Sequence, residues 1–379
     1  MISCGEPSGD LYAGALATEI LRADPSATVT GFGSDRLRAA GASLAGDFSG
    51  LSVTGLMEVA RVLPRTYAAY RRLVREAETN RPDVFVAVDF PDFNFRLAAA
   101  VRSRGVPVVY YISPQLWAWR RGRMKTMRRI ADRVLVIFPF EEGIYREAGI
   151  PVQWVGHPLL DVTREAEPRS SFLARLQLNP AHPVVALLPG SRRNELRSIL
   201  PDLVSAALLV RRQLPDVQWI VARAPHLPDD VFEPVARLGA GVATVEQSTD
   251  NVLAAADVAL VASGTVTVQA ALHECPMVVV YRLSALTYRI GKPFVHVDTY
   301  AMANLVAGRR VVPELIQDEF TPERVAAEAL RVLTDPVHAA AVRSALREVR
   351  GQLGSPGASR RAAQAVIEVA RHETARPLG

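Results

Sequence analysis

Two short segments of this chain carry residue types suited to holding a diphosphate. The apolar run Val184-Val185-Ala186-Leu187-Leu188 enters Pro189-Gly190-Ser191-Arg192 and then a helical pattern. A glycine turn lets the backbone come close to an anion, the free N–H groups of a helix start point at it, and an arginine adds a fixed cationic fork. The segment from Val258 repeats the logic, with Ser263-Gly264-Thr265 leading into a helix expected over Val266 to His273. Two such turns in one half of the chain indicate a nucleotide diphosphate held between strand ends. Arg192 reads either as an exposed helix-start arginine or as a diphosphate contact. The helix dipole disfavours a cation there unless an anion sits beside it, which favours the contact. Arg193 is expected to face solvent.

The first half offers carboxylates instead. Asp89 follows an apolar run, where a parallel strand ends and ligands of α/β folds bind, so it is a candidate general base. Its alternative is to cap the helix expected to begin near Phe93, a role assigned mainly to Asp92. Glu6, Ser8 and Asp10 lie in the first strand-to-helix turn and read as ligand contacts or as a plain helix start capped by Ser8. Glu6 is the second candidate for the base. His157 is equally a turn histidine and a site residue, and the other histidines show no metal spacing. Arg120, Arg121, Arg123, Lys125, Arg128 and Arg129 follow Trp117 and Trp119, which suits a solvated helix face, an anionic lipid headgroup or a substrate phosphate. The strip Leu51 to Leu63 reads as core, as membrane-facing or as the lining of a tunnel for apolar chains.

These residues need strand ends to hold them. Apolar runs near Thr28–Gly31, Val84–Val88, Val108–Ile112 and Val134–Ile137 alternate with helical stretches, and a second series follows near Val184–Leu188, Trp219–Ala222, Val258–Val261 and Met277–Tyr281. Runs apolar on both faces are central parallel strands. Two such series predict an α/β protein of two Rossmann-like, doubly wound domains facing a cleft. The first is expected over 1–162, rejoined by C-terminal helices 345–379, and the second over 163–344. A buried first strand is normally longer than the residues before Gly5, so the start is expected to lack part of it.

The length of 379 residues, with 49% hydrophobic and 22% charged residues, is that of a two-domain globular chain. The net charge of +5 favours an anionic substrate or membrane surface over nucleic acid. Two cysteines, Cys4 and Cys275, argue against disulfides and thiolate metal sites. Neither a signal peptide nor a membrane-spanning apolar run is readable.

The segments Gly5-Glu6-Pro7-Ser8-Gly9-Asp10, Val88-Asp89-Phe90-Pro91-Asp92-Phe93-Asn94, Tyr110-Tyr111-Ile112-Ser113-Pro114-Gln115-Leu116-Trp117-Ala118-Trp119-Arg120, Val155-Gly156-His157-Pro158-Leu159, Leu187-Leu188-Pro189-Gly190-Ser191-Arg192 and Ala262-Ser263-Gly264-Thr265 occur in this order. The ordered set resembles the lipid-A-disaccharide synthases, GT-B glycosyltransferases. The resemblance implies inverting transfer of a diacylated glucosamine from UDP to the 6-hydroxyl of diacylglucosamine 1-phosphate. It also implies a homodimer at the inner face of the cytoplasmic membrane, with no cofactor. Substrate contacts are then expected from Ser8, Gly9, Asp10, Asn94, Ser113, Gln115, Trp117, Arg120 and His157. UDP contacts are expected from Gly190, Ser191, Arg192, Glu195, Ser263, Gly264, Thr265, Gln269 and Asn304. Gln269 stands where the family's helix carries a glutamate for the ribose hydroxyls, and Met302-Ala303-Asn304 replaces Leu-Pro-Asn. No Asp-x-Asp motif occurs, so helix starts and Arg192 are expected to stabilise the leaving diphosphate without a metal. A UDP-sugar epimerase of the same architecture and a non-catalytic sugar- or lipid-binding homologue are the rival readings.

Overall fold

The computed structural model describes residues 1–48, 56–119, 121–224, 227–282 and 299–374. The chain forms two compact units, one of Met1–Val162 with the segment from Leu353 onward, the other of Thr163–Gln352.

In the first unit, β1 (Ile2–Ser3), β2 (Thr30–Gly33), β3 (Ser43–Asp47), β4 (Phe85–Val88), β5 (Val108–Tyr111), β6 (Arg133–Val136) and β7 (Val152–Trp154) form one parallel sheet in the order β3-β2-β1-β4-β5-β6-β7. The helices α1 (Pro7–Ala23), α2 (Asp35–Ala39), α3 (Leu56–Asn80), α4 (Pro91–Arg102), α5 (Leu116–Trp119), α6 (Met124–Ile130), α7 (Pro139–Glu147) and α8 (Leu159–Val162) connect them. Strand order turns back between β1 and β4, so the crevice of the topological switch lies at their carboxyl ends. The central strands β4 and β5, Phe-Val-Ala-Val and Val-Val-Tyr-Tyr, are buried throughout. β3 and β7, at the edges, are only partly covered.

The second unit has α9 (Arg169–Arg175), β8 (Val184–Leu188), α10 (Arg193–Gln213), β9 (Gln218–Arg223), β10 (Val242–Glu246), α11 (Thr249–Ala255), β11 (Val258–Ala262), α12 (Thr265–Leu272), β12 (Met277–Tyr281), α13 (Met302–Ala307), β13 (Glu314–Ile316), α14 (Pro322–Thr334) and α15 (Pro336–Gln352). Its parallel sheet runs β10-β9-β8-β11-β12-β13, with the switch between β8 and β11. Leu196, Ile199, Leu203 and Val210 of α10 pack with Trp219 and Val221 of β9 in its core.

The C-terminal crossing falls later than the expected 345. α15 buries Ala339, Val342, Ala345, Leu346 and Val349 within the second unit, against α12, α13 and α14. Only α16 (Ala358–Thr374) rejoins the first unit, where it packs on α1. Its start is fixed by Asp161, which accepts from the amides of Gly357 at 2.5 Å and Ser359 at 2.7 Å.

Candidate active site and anion-binding turns

In the first unit the candidates gather at the β1/β4 switch. Glu6 is the N-cap residue of α1 and half-buried, so Ser8, Gly9 and Asp10 belong to the first helical turn and Ser8 is not the cap. A Cβ at Gly5 would lie 2.2 Å from the Phe90 ring, so only glycine lets the Glu6 turn pass against the Asp89 turn. Asp89 and Phe90 both have left-handed backbones, with φ of 45° and 49°, and Ile112 at the end of β5 has φ 58°. Such conformations cost about 1–3 kcal/mol each and persist where surrounding structure enforces them, often at functional sites. The enforcement is visible. The Asp89 amide donates to the Tyr111 carbonyl at 3.2 Å, and the Asp89 carbonyl accepts from the Tyr110 hydroxyl and the Asn94 amide, both at 2.9 Å.

The capping alternative for these aspartates is not what the fold contains. Phe90 occupies the N-cap of α4, which starts at Pro91 rather than near Phe93. Asp92 lies in the first turn and is paired with Arg123 at 2.7 Å. The Asp89 side chain is half-buried at the strand end.

Several other candidates have their polar atoms engaged in fixing this edge. The buried Asp10 carboxylate accepts from the amides of Ser34 at 2.7 Å, Arg36 at 2.9 Å and Leu37 at 3.3 Å, which holds the start of α2. Asn94 is fully buried, accepts from the Ser3 hydroxyl at 2.8 Å and donates to the Ser3 and Val88 carbonyls, tying β1 to β4. The Ser113 hydroxyl meets the Tyr145 hydroxyl, which also donates to the Pro114 carbonyl at 3.1 Å. The Trp117 indole N–H donates to Glu141 at 3.2 Å and its ring meets Phe140 edge-on. His157 is buried. Its Nδ1 accepts from the Leu159 amide at 3.1 Å, and burial pushes its pKa down to about 3, so it is a neutral structural histidine. Gln115 is half-buried on the same loop as Ser113. Arg120 and residues 51–55 of the apolar strip lie outside the described residues.

The second unit presents a different edge. The turns after β8 and β11 leave from paired neighbours, Leu188 and Val261. Gly190 has φ 119°, and a Cβ there would come within 2.7 Å of the Glu195 carboxylate. That carboxylate accepts from the Ser191 amide at 3.4 Å and pairs with Arg192 at 3.0 Å. The Gly-Ser-Arg turn thus already surrounds one anionic group. Arg192 is the N-cap residue of α10, and Arg193 pairs with Asp230 at 2.6 Å. Ser263 is half-exposed, and Gly264 and Thr265 are exposed at the start of α12.

Two UDP-contact expectations meet internal partners here. The Gln269 amide donates to Asp250 at 2.7 Å, and His273 contacts the same oxygen at 2.9 Å. Burial pushes Asp250 up, but hydrogen bonds from His273, Gln269 and the Arg164 amide outweigh it and hold the carboxyl below its ordinary range. Asn304 is buried and brackets its own loop, accepting from the Val311 and Val312 amides and donating to the Val312 carbonyl and Glu314.

The family model for lipid-A-disaccharide synthetase matches residues 1–369. The chain belongs to the lipid-A-disaccharide synthetase family. It is therefore a glycosyltransferase of lipid A disaccharide synthesis. The lipid-A-disaccharide synthase of Geobacter metallireducens is 45% identical over 97% of this chain and 96% of its own. That of Myxococcus xanthus is 43% identical over 97% of both chains. Among solved structures, the calicheamicin glycosyltransferase CalG4 shares the fold with a TM-score of 0.63 at 17% identity, over 99% of this chain and 98% of that one. A UDP-GlcNAc 2-epimerase from Neisseria meningitidis does so with a TM-score of 0.68 at 12% identity, over 97% of this chain and 99% of that one. These likenesses show the fold alone. The epimerase reading is not favoured for a member of the lipid-A-disaccharide synthetase family.

Sequence reasoning did not single out Glu141, Tyr145, Asp250 or Glu314. Glu141 had a readable signal, because an acidic residue following Pro139 directly after an apolar run marks a helix start. Asp250 and Glu314 had none, since their partners Gln269 and Asn304 are distant in sequence. Among the described residues no group of three or more His, Cys, Asp or Glu is placed to hold a metal ion.

Proposed function

We propose that this family member joins UDP-2,3-diacylglucosamine to the 6-hydroxyl of 2,3-diacylglucosamine 1-phosphate with inversion, releasing UDP and the disaccharide 1-phosphate. The first unit takes the acceptor and the second the UDP donor. The observation that carries this reading is Asp89, a half-buried carboxylate at the switch of the first sheet whose backbone is held in a left-handed conformation by Tyr110, Tyr111 and Asn94. As the acceptor oxygen bonds to the anomeric carbon and the bond to UDP breaks, Asp89 takes the hydroxyl proton. Glu6, on the adjoining turn, orients the acceptor or replaces Asp89 as base. Charge developing on UDP is met by the N–H groups at the starts of α10 and α12 and by Arg192, a role for fixed dipoles that is typically the largest catalytic term.

We further place the enzyme peripherally at the inner face of the cytoplasmic membrane, as a homodimer. Among the described residues no helix is long and apolar enough to cross a membrane. Supporting a surface association, Leu63 and Tyr67 of α3 are 57% and 59% exposed. The test is incubation with the two acylated substrates followed by mass spectrometry. A product with the mass of the acylated disaccharide 1-phosphate supports the reading, and hydrolysis or epimerisation of the donor with no such product overturns it.

A further inference from the structure

We infer that Glu141 is a positioning residue of the transfer reaction: together with Tyr145 it forms a bracket on α7 that fixes the Ser113–Trp117 loop beside the Asp89 turn. The inference rests on the proposed transfer reaction, and it concerns the buried side chains of Glu141 and Tyr145, which act through the loop they hold.

The bracket is built from one helix face. Glu141 and Tyr145 are four residues apart on α7, so their side chains stack on the same side. Glu141 is 1% exposed, with one carboxylate oxygen accepting from the Trp117 indole at 3.2 Å and the other from the Phe138 amide at 3.3 Å. Tyr145 is fully buried, and its hydroxyl contacts both the Ser113 hydroxyl and the Pro114 carbonyl. Two side chains thereby hold both ends of the Ser113–Trp117 loop.

The loop adjoins the reacting edge. β5 is the neighbour of β4, pairing Val88 with Tyr111, and the Tyr111 carbonyl accepts the Asp89 amide. Ile112, left-handed, is the single residue between that carbonyl and Ser113. A shift of the Ser113–Trp117 loop is therefore delivered to the backbone that aims Asp89. Misplacement by about 1 Å costs on the order of 10²-fold in rate.

A buried acid is a poor choice for packing alone. An apolar side chain fills such space without desolvating a carboxyl, and buried ionisable groups tend to be kept where geometry must be specified. Here burial pushes Glu141 up to about 7 against the hydrogen bonds from Trp117, Phe138 and Ile137.

The experiment compares Glu141→Gln, Trp117→Phe and their double variant with the wild-type enzyme. It reads kcat, KM for each acylated substrate, UDP affinity, thermal midpoint and indole emission. Glutamine offers one acceptor oxygen where the carboxylate offers two to its donors, and phenylalanine removes the indole N–H, so each single variant is expected to lower kcat ten- to a hundredfold. UDP affinity should hold, because the diphosphate turns belong to the second unit, and the double variant should be no worse than the poorer single one. Should Glu141→Gln fail to fold, Trp117→Phe carries the kcat comparison alone. Wild-type kcat in a folded single variant overturns the bracket, as do losses that multiply in the double variant. An inactive wild type overturns the transfer reading instead. The emission difference between wild type and Trp117→Phe then isolates Trp117, and that component must move in Glu141→Gln for the bracket to stand.

Discussion

The carboxyl edges of the two sheets solve different problems with the same topology. In the first unit the edge is stiff: Asp10, Asn94, Ser113, Trp117, Glu141 and His157 are buried and bonded to neighbouring turns. In the second unit the switch-point turns are built on Gly190-Ser191 and Ser263-Gly264, with Gly264 and Thr265 exposed and Arg192 paired to Glu195 of its own helix. A general base must be aimed within a fraction of an ångström. A diphosphate, with many equivalent oxygens, can be gathered by backbone N–H groups that need only be open. On the proposed reading, the contrast suits the first edge to proton transfer and the second to leaving-group capture.

The largest test of that contrast is Asp89→Asn. The amide keeps the shape and loses the basicity, so turnover should fall by about 10²–10⁴-fold while thermal stability and UDP affinity hold. Measuring Glu6→Gln beside it decides the assignment, since collapse of Glu6→Gln alone moves the base to Glu6. On the second edge, Arg192→Ala should weaken UDP binding and slow transfer by about 2–4 kcal/mol in total. Lysine there should restore only part, lacking the bidentate fork. UDP affinity unchanged in both variants would remove Arg192 from the site.

A smaller effect reads the stiffness itself. Glu141, raised from 4.5 to about 7, takes its proton more readily folded than unfolded. Its contribution therefore favours the folded state below about pH 4.5 and is lost as pH rises to about 7, a swing on the order of 3 kcal/mol. The stability difference between wild type and Glu141→Gln, followed by denaturant unfolding, should shift in that window; a difference flat from pH 4.5 to 8 removes the buried carboxyl as its source. The smallest expected change is Glu195→Gln. Its carboxylate occupies the space between Gly190, Ser191 and Arg192, so neutralising it should tighten UDP binding a fewfold, as calorimetry can measure. Weaker binding would make Glu195 a direct UDP contact.

How much was legible in the sequence follows the same division. Central strands stood out because they are apolar on both faces: Val184–Leu188 and Met277–Tyr281 have the expected bounds. The edge strands Ser43–Asp47 and Val242–Glu246 carry polar, half-exposed residues and look like loops until a neighbour pairs with them. The turns holding Glu6, Asp89, Gly190 and Ser263 were readable from local chemistry, but strand order, which places them at the two switch points, was not. Residues chosen from a motif alone divided less well. Asp10, Asn94, His157 and Asn304 looked like ligand contacts because polar residues at strand ends usually are, yet each has internal partners: for His157 the amide two residues on, and for Asp10, Asn94 and Asn304 groups that include backbone atoms brought close by the fold.

The return of α16 to the first unit bears on how the chain is made. The piece that packs on α1, and whose start is gripped by Asp161, is synthesised after the whole of the second unit. The second unit, from Thr163 to Gln352, is complete before it emerges. Domains fold as units during synthesis, usually from the amino terminus onward. Here the order is interleaved: the unit that holds Met1–Val162 waits for α16, while the unit of Thr163–Gln352 is synthesised whole in between.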